Sequence, residues 1–144
     1  MESAAVIRKA SHAGSWYSEN GAKLAKELSS YLAKAEKTLP AGSLLRAIIG
    51  PHAGYYYSGP TAAWAYINID PDAYKRVILL GPAHHKYIDG CALSRCTEYE
   101  TPLGNISIDR ATTEALYAKG GFKYFSKGDD EDEHSLEMHL PYIK

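Results

Sequence analysis

Six histidines are spread over this 144-residue chain, and three of them sit in two loops that open alike. One loop reads Gly50-Pro51-His52-Ala53-Gly54; the other reads Gly81-Pro82-Ala83-His84-His85. Imidazole is a common neutral metal ligand and titrates near neutral pH. Neighbouring parallel strands lie about 4.8 Å apart, so loops ending two such strands can bring side chains onto one ion. His52 with His84 or His85 then supplies two nitrogen donors. Two histidines plus a carboxylate or thiolate, with open positions, form a mononuclear site that can bind substrate or dioxygen. The remaining member of the 84–85 pair is free to move protons or to orient a ligand. The competing reading is that these rings bond backbone carbonyls at strand ends. The spacing is neither H-x-H nor H-E-x-x-H and leaves both open.

The elements that must position these loops follow from patterning. Residues 44–49 and 76–80 are near-continuous apolar runs, as expected of parallel strands covered on both faces. Leu24, Leu28, Tyr31, Leu32 and Ala35 make one apolar stripe, which predicts a helix over 21–37 with Asn20 as its cap. Pro60 fits the first turn of a second helix over 61–67, apolar nearly all round and therefore buried. Residues 90–94 predict a strand, and 98–108 a hairpin. Asp109 predicts the cap of a helix over 110–119 that Gly120-Gly121 ends; 122–125 is a further short strand. The alternation of strands and helices predicts an α/β fold with a mostly parallel sheet, in one domain over 1–144.

His134 and Glu137 stand three apart, where a helix would put them on one face. They suit a ligand pair, a proton relay, or a structural pair over the pocket. Glu133 beside them is expected to hold His134 charged, and residues 129–133 read as a solvated acidic loop. His12, among small residues in Ser11–Tyr17, reads as a hydrogen-bonded structural histidine. Cys91 and Cys96 match no zinc or disulfide pattern and read as reduced thiols. No nucleophile elbow or phosphate-binding glycine loop is present. Twelve tyrosines are the compositional oddity, suiting either half-buried packing or a polar-aromatic pocket. A net charge of −1 gives no reason to expect nucleic-acid binding. No apolar run reaches the roughly 20 residues of a membrane span, and the first ten residues lack a signal-peptide core, so a cytoplasmic protein, with the nucleus as a second location, is expected.

Four motifs together carry a resemblance: Ser-His-Ala-Gly-Ser-Trp-Tyr at 11–17, Pro-His-Ala-Gly-Tyr at 51–55, Gly-Pro-Ala-His-His at 81–85, and Asp-Glu-Asp-Glu-His-Ser-Leu-Glu-Met-His-Leu-Pro-Tyr at 130–142. In that order and spacing they resemble the Memo family, named for mediating receptor-tyrosine-kinase-driven cell motility. That family is similar to the class III extradiol dioxygenases. The resemblance implies a LigB-like α/β/α sandwich around a mostly parallel central sheet, incomplete here because the chain matches the N-terminal half of the family's length. It implies a mononuclear iron or copper site with His52 and His84 as ligands and a third ligand outside these 144 residues; neither cysteine matches that ligand's motif. His85, His134 and Glu137 are then the candidates for supporting the ligands or relaying protons. The alternative function is an adaptor with a relict metal pocket and no catalysis, whose pocket at Trp16, Tyr55, Tyr56 and Tyr57 receives a phosphotyrosine peptide of a receptor or cytoskeletal protein. Exposed apolar surface on a half-length chain predicts oligomerisation.

Overall fold

Asn20 starts the first helix: its side-chain oxygen accepts the Lys23 N–H at 3.0 Å, satisfying a donor that the first turn leaves free. The computed structural model describes residues 4–144, and α1 runs Gly21–Leu32. Leu24 and Leu28 are buried, as the stripe requires. The helix ends five residues before the sequence expectation. Beyond Leu32 only Ala35 is even half-buried, and good helix formers without a packed face do not sustain a helix in water.

The second helix, α2, runs Tyr55–Tyr66 and so begins six residues earlier than Pro60 suggested. Its start is pinned by the Tyr55 N–H, which donates to the Trp16 carbonyl at 2.9 Å. Pro60 therefore lies inside the helix rather than at its first turn. Gly59 lets α1 and α2 approach closely, because a Cβ there would lie 2.6 Å from the Tyr31 ring. Ala62, Ala63 and Tyr66 are buried, but Trp64 is 46 % exposed, so the helix is covered on one side only.

Among the described residues five short strands make two sheets, and the chain is a mixed α/β protein. In the first, β1 (Ile7–Arg8) pairs parallel with β3 (Glu98–Tyr99), which pairs antiparallel with β4 (Ile106–Ser107). The 98–108 hairpin is as expected; Thr101 closes its turn by donating to the Gly104 carbonyl at 2.7 Å. In the second sheet, β2 (Cys91–Leu93) pairs parallel with β5 (Phe122–Tyr124). Between them lies α3 (Arg110–Ala118), capped by Asp109, whose carboxylate accepts the Thr112 N–H at 2.9 Å. Both cysteines are free thiols, Cys91 exposed and Cys96 buried.

The main departure concerns residues 44–49 and 76–80. Neither run is a strand: Ile49 is 97 % exposed and Leu80 81 % exposed, and the backbones of 46–49 and 76–80 make no hydrogen bond among the described residues. A parallel strand needs a paired neighbour and two covered faces; the described chain supplies no paired neighbour and only partial cover, at Leu45, Ile48 and Leu79.

The acidic run departs in the opposite sense. Ser126 and Asp129 form a reciprocal capping box that starts α4 (Lys127–Asp132), and Asp130 and Glu133 are buried. A 3-10 turn, Glu137–His139, and a short α5, Leu140–Ile143, follow. Among the described residues the core has two parts. Tyr17, Leu24, Leu28, Tyr55 and Met138 form one; Cys96, Tyr99 and Leu140 form the other, with Leu79, Ile106 and Ile108 against it. Residues 138 and 140 thus join the two clusters. No helix among the described residues is long and apolar enough to cross a membrane.

Candidate metal centre

Both Gly-Pro loops lean on residues 135–139. A Cβ at Gly81 would sit 2.7 Å from Ser135 Oγ and 2.8 Å from Leu136 Cδ2. A Cβ at Gly50 would sit 2.8 Å from the His139 ring. Ser135 Oγ also donates to the Pro82 carbonyl at 2.8 Å. The glycines are thus needed for close approach, and the segment they approach braces both histidine loops. His139 is held by Tyr66, hydroxyl to Nδ1, at 2.8 Å. Burial, with the nearby His52, pushes the His139 pKa down.

The result is a convergence of imidazoles. His52, His84 and His134 each offer a ring nitrogen, and these atoms lie within 4.8 Å of one another. Ring centroids are 5.3 Å apart for His52 and His84, 5.5 Å for His52 and His134, and 4.2 Å for His84 and His134. His84 is held by Glu133: its Nδ1 is 2.8 Å from one carboxylate oxygen, and its backbone N–H donates to the other at 2.5 Å. With Glu133 ionised, Nδ1 carries the proton and Nε2 presents its lone pair to the cluster.

Glu133 also accepts the Ser135 N–H at 2.9 Å. Burial works against its charge, but the hydrogen bonds from His84 and Ser135 outweigh it and hold the carboxyl down at about 2. The expectation that Glu133 keeps His134 charged is corrected here. Its oxygen is 3.8 Å from His134 Nδ1 and is already committed to His84. Burial and the neighbouring His84 push the His134 pKa down, favouring the neutral ring.

An open cavity of about 680 Å³ meets two of these rings, His84 and His134. Its wall also includes His85, Ser11, His12, Trp16, Glu131 and Asp132. Trp16 packs on the His134 ring at 4.5 Å between centroids. His85 lies 6.2 Å from His134. The three tyrosines are not part of the wall. They are consecutive on α2, so they point about 100° apart. Tyr55 faces the core and donates to the Met138 carbonyl at 2.8 Å, whereas Tyr56 and Tyr57 face out, 85 % and 78 % exposed.

Glu137 does not share a helical face with His134, which precedes the 3-10 turn. It is fully buried and accepts four hydrogen bonds: Arg8 Nη1 at 2.8 Å, the His12 N–H at 2.9 Å, His12 Nδ1 at 2.9 Å and the Tyr17 hydroxyl at 2.7 Å. Burial opposes its charge; Arg8, His12 and Tyr17 overcome this and lower its pKa. Glu137 therefore reaches the cavity only through His12, which stands on the wall as a hydrogen-bonded histidine. Arg8 also donates to Asp130 Oδ1 at 3.2 Å and to the carbonyls of Asp130 and Glu133 at 2.9 and 2.8 Å. Sequence reading missed Arg8 and the Glu133–His84 clamp. The spacing of Asp130, Glu133 and Glu137, three and four apart, was the available signal for a run with an inward face.

A family model described as Memo-like protein matches residues 8–144. Protein MEMO1 of Xenopus laevis is 48 % identical over 143 residues, covering 99 % of this chain and 47 % of the relative. Protein MEMO1 of Homo sapiens is 47 % identical over 143 residues, with the same coverage. Protein memo-1 homolog of Caenorhabditis elegans is 44 % identical over 136 residues, 94 % of this chain and 38 % of that protein. The chain therefore spans about half the length of the curated relatives it matches, and it belongs to the Memo-like family.

Proposed function

We propose that this chain carries a mononuclear iron or copper site with His52 and His84 as ligands, and that it is a redox metalloprotein related to the extradiol dioxygenases. The observation behind this is the meeting of two rings from separate Gly-Pro loops, 5.3 Å apart, one of them with Nδ1 held by a buried carboxylate. The donor chemistry fits. A carboxylate on the far nitrogen of a ligating histidine fixes the tautomer and raises the basicity of the near one. Imidazole suits iron and copper alike. Neither His52 nor His134 has a hydrogen-bond partner for its ring nitrogens among the described residues.

When bound, such a metal supplies one-electron chemistry at the cavity wall. The chain's own residues do the rest. Glu133 orients His84, Trp16 packs on His134, and the buried Arg8–Glu137 pair fixes His12 where it can exchange protons with a molecule in the cavity. The fold accompanying this reading is the α/β/α sandwich, with 44–49 and 76–80 as strands of its sheet once they are paired. By family likeness, the wider setting is receptor-driven cell motility. The phosphopeptide reading is not adopted: the cavity wall carries Glu131 and Asp132 and neither lysine nor arginine, a poor field for a phosphate.

Metal content by mass spectrometry tests the reading. Stoichiometric iron or copper that disappears in His52→Ala/His84→Ala supports it; a purified chain that takes up neither metal when offered both overturns it.

A further inference from the structure

We propose that the buried Tyr66–His139 pair is a one-electron redox site: an oxidant takes an electron from the Tyr66 phenol while the phenolic proton moves to His139 Nδ1, leaving a neutral tyrosyl radical. Neither residue lines the cavity, and the site needs no metal at the histidine loops. A single hydrogen bond is its basis. The Tyr66 hydroxyl lies 2.8 Å from His139 Nδ1 and has no other partner among the described residues. Both residues are buried, and a buried hydroxyl with its proton unpaired is costly. The phenol therefore donates and the imidazole nitrogen accepts. Burial also keeps the His139 ring neutral, which leaves that lone pair available.

The other tyrosines of the interior lack this outlet. Losing an electron makes a phenol a strong acid, and a charged phenol is costly to keep in an apolar interior. The radical is reached only if a base within hydrogen-bond reach takes the proton. Tyr55 and Tyr142 donate to the carbonyls of Met138 and Gly59, which are not bases. Tyr17 and Tyr99 donate to Glu137 and Asp130, carboxylates already paired with Arg8 and weaker bases than imidazole. Of the twelve tyrosines, only Tyr66 has a hydrogen bond to an imidazole among the described residues. The His139 ring is held in place by the Gly50 backbone, where a Cβ would lie 2.8 Å from it. A route for the electron is also present. The Tyr142 ring stacks on Tyr66 with centroids 4.7 Å apart and planes 8° from parallel, and Tyr142 is only half-buried. Tyr142 passes the electron outward but has no base with which to hold the radical. In the whole step one O–H bond breaks, one N–H bond forms, the electron goes to the oxidant and the remaining positive charge sits on His139. A one-electron reductant reverses it.

The test is oxidation of the metal-free chain by photogenerated ruthenium(III) tris-bipyridine, a one-electron oxidant, followed by electron paramagnetic and electron–nuclear double resonance. In the unmutated chain labelled with ¹⁵N-histidine, a tyrosyl radical coupled to one histidine nitrogen is expected, which assigns Tyr66 without any variant. Its formation should be slower in heavy water, because the proton moves with the electron. Tyr66→Phe keeps the stacked ring and should lose the nitrogen-coupled signal. His139→Gln offers an amide but no base and should lose it too. A tyrosyl radical without nitrogen coupling in the labelled unmutated chain, a coupled signal that persists in Tyr66→Phe, or equal rates in light and heavy water would each overturn the proposal. The His52/His84 reading is tested by metal content alone and is untouched by any of these results.

Discussion

Residues 130–139 and the two runs at 44–49 and 76–80 make opposite uses of their composition. The first is strongly acidic, yet Asp130, Glu133 and Glu137 are buried. The second pair is strongly apolar, yet Val77, Ile78 and Leu80 are 60–81 % exposed. Partners decide which way each goes. Every buried carboxylate in the acidic segment has donors: Arg8 for Asp130 and Glu137, His84 and Ser135 for Glu133. No buried side-chain nitrogen or oxygen lacks a partner among the described residues. Among the described residues the apolar runs have no paired backbone and are only half-covered, at Leu45, Ile48 and Leu79, so most of their hydropathy finds nothing to act on. Hydropathy is a tendency that needs a surface; a charge can be buried when its hydrogen bonds are complete.

The largest expected effect comes from removing the cation that makes the acidic segment buriable. Arg8 is 1 % exposed and bonds two carboxylates and two carbonyls of that segment. Arg8→Ala leaves Asp130 and Glu137 as uncompensated buried charges, a loss of about 3–5 kcal/mol. Urea unfolding followed by Trp16 fluorescence should show the chain largely unfolded without denaturant. A cooperative transition within 1 kcal/mol of the parent would mean that the segment is held by packing, and would break the comparison.

How much of this was legible in the sequence follows the same division. Local signals were read correctly: the Asn20 and Asp109 caps, the hairpin around Thr101, and the short strands after Gly90 and Gly121 all depend on neighbours within a few residues. The two Gly-Pro-His loops were identified, and their convergence is what the structure shows. What escaped depends on distant partners. Arg8 is 122 residues from Asp130 and 129 from Glu137, and nothing local marks it. Glu133 was assigned to the adjacent His134, but it serves His84, 49 residues away. Pro60 suggested a helix start by a sound local rule; the Trp16 carbonyl, 39 residues before Tyr55, set the start earlier.

A smaller effect is expected from disturbing the brace without touching a charge. Gly81→Ala places a methyl 2.7 Å from Ser135 Oγ and 2.8 Å from Leu136 Cδ2. Ser135 Oγ is tied to the Pro82 carbonyl, so relief requires the loop itself to move. A loss of about 1–3 kcal/mol is expected, together with weaker Zn²⁺ binding, because the same loop carries His84. Full stability with normal Zn²⁺ affinity would show that the loop is not seated on the acidic segment.

Protonation gives a test with a definite sign. The folded-state pKa of Glu133 is depressed to about 2 from an ordinary glutamate value of 4.5. Its contribution is therefore fully present above about pH 5 and is lost as the pH falls from there towards 2. Glu137 is also depressed and acts in the same direction. Unfolding free energy should decrease with acid across that window. Glu133→Gln should flatten part of the slope and, by loosening His84, weaken Zn²⁺ about 10–100-fold at neutral pH. An unchanged slope in the variant would show that the clamp contributes nothing to stability.

The smallest effect on stability is expected where hydropathy is highest. Ile78 is 74 % exposed and Leu80 81 % exposed, so Ile78→Lys with Leu80→Lys removes little buried area. The urea midpoint should move by no more than about 0.5 kcal/mol per site, as for other surface positions. Association should respond more. An unpaired apolar run invites edge-to-edge pairing, and lysine is a residue that edges use to prevent it. Sedimentation velocity should therefore show a concentration-dependent larger species for the parent chain and less of it for the double variant. A loss of several kcal/mol instead would mean that these residues are already covered in solution, with a second copy taking the place that the acidic segment fills with Arg8. The contrast between the two regions would then be one of partner identity, intramolecular for the charges and intermolecular for the apolar runs, rather than of partner presence.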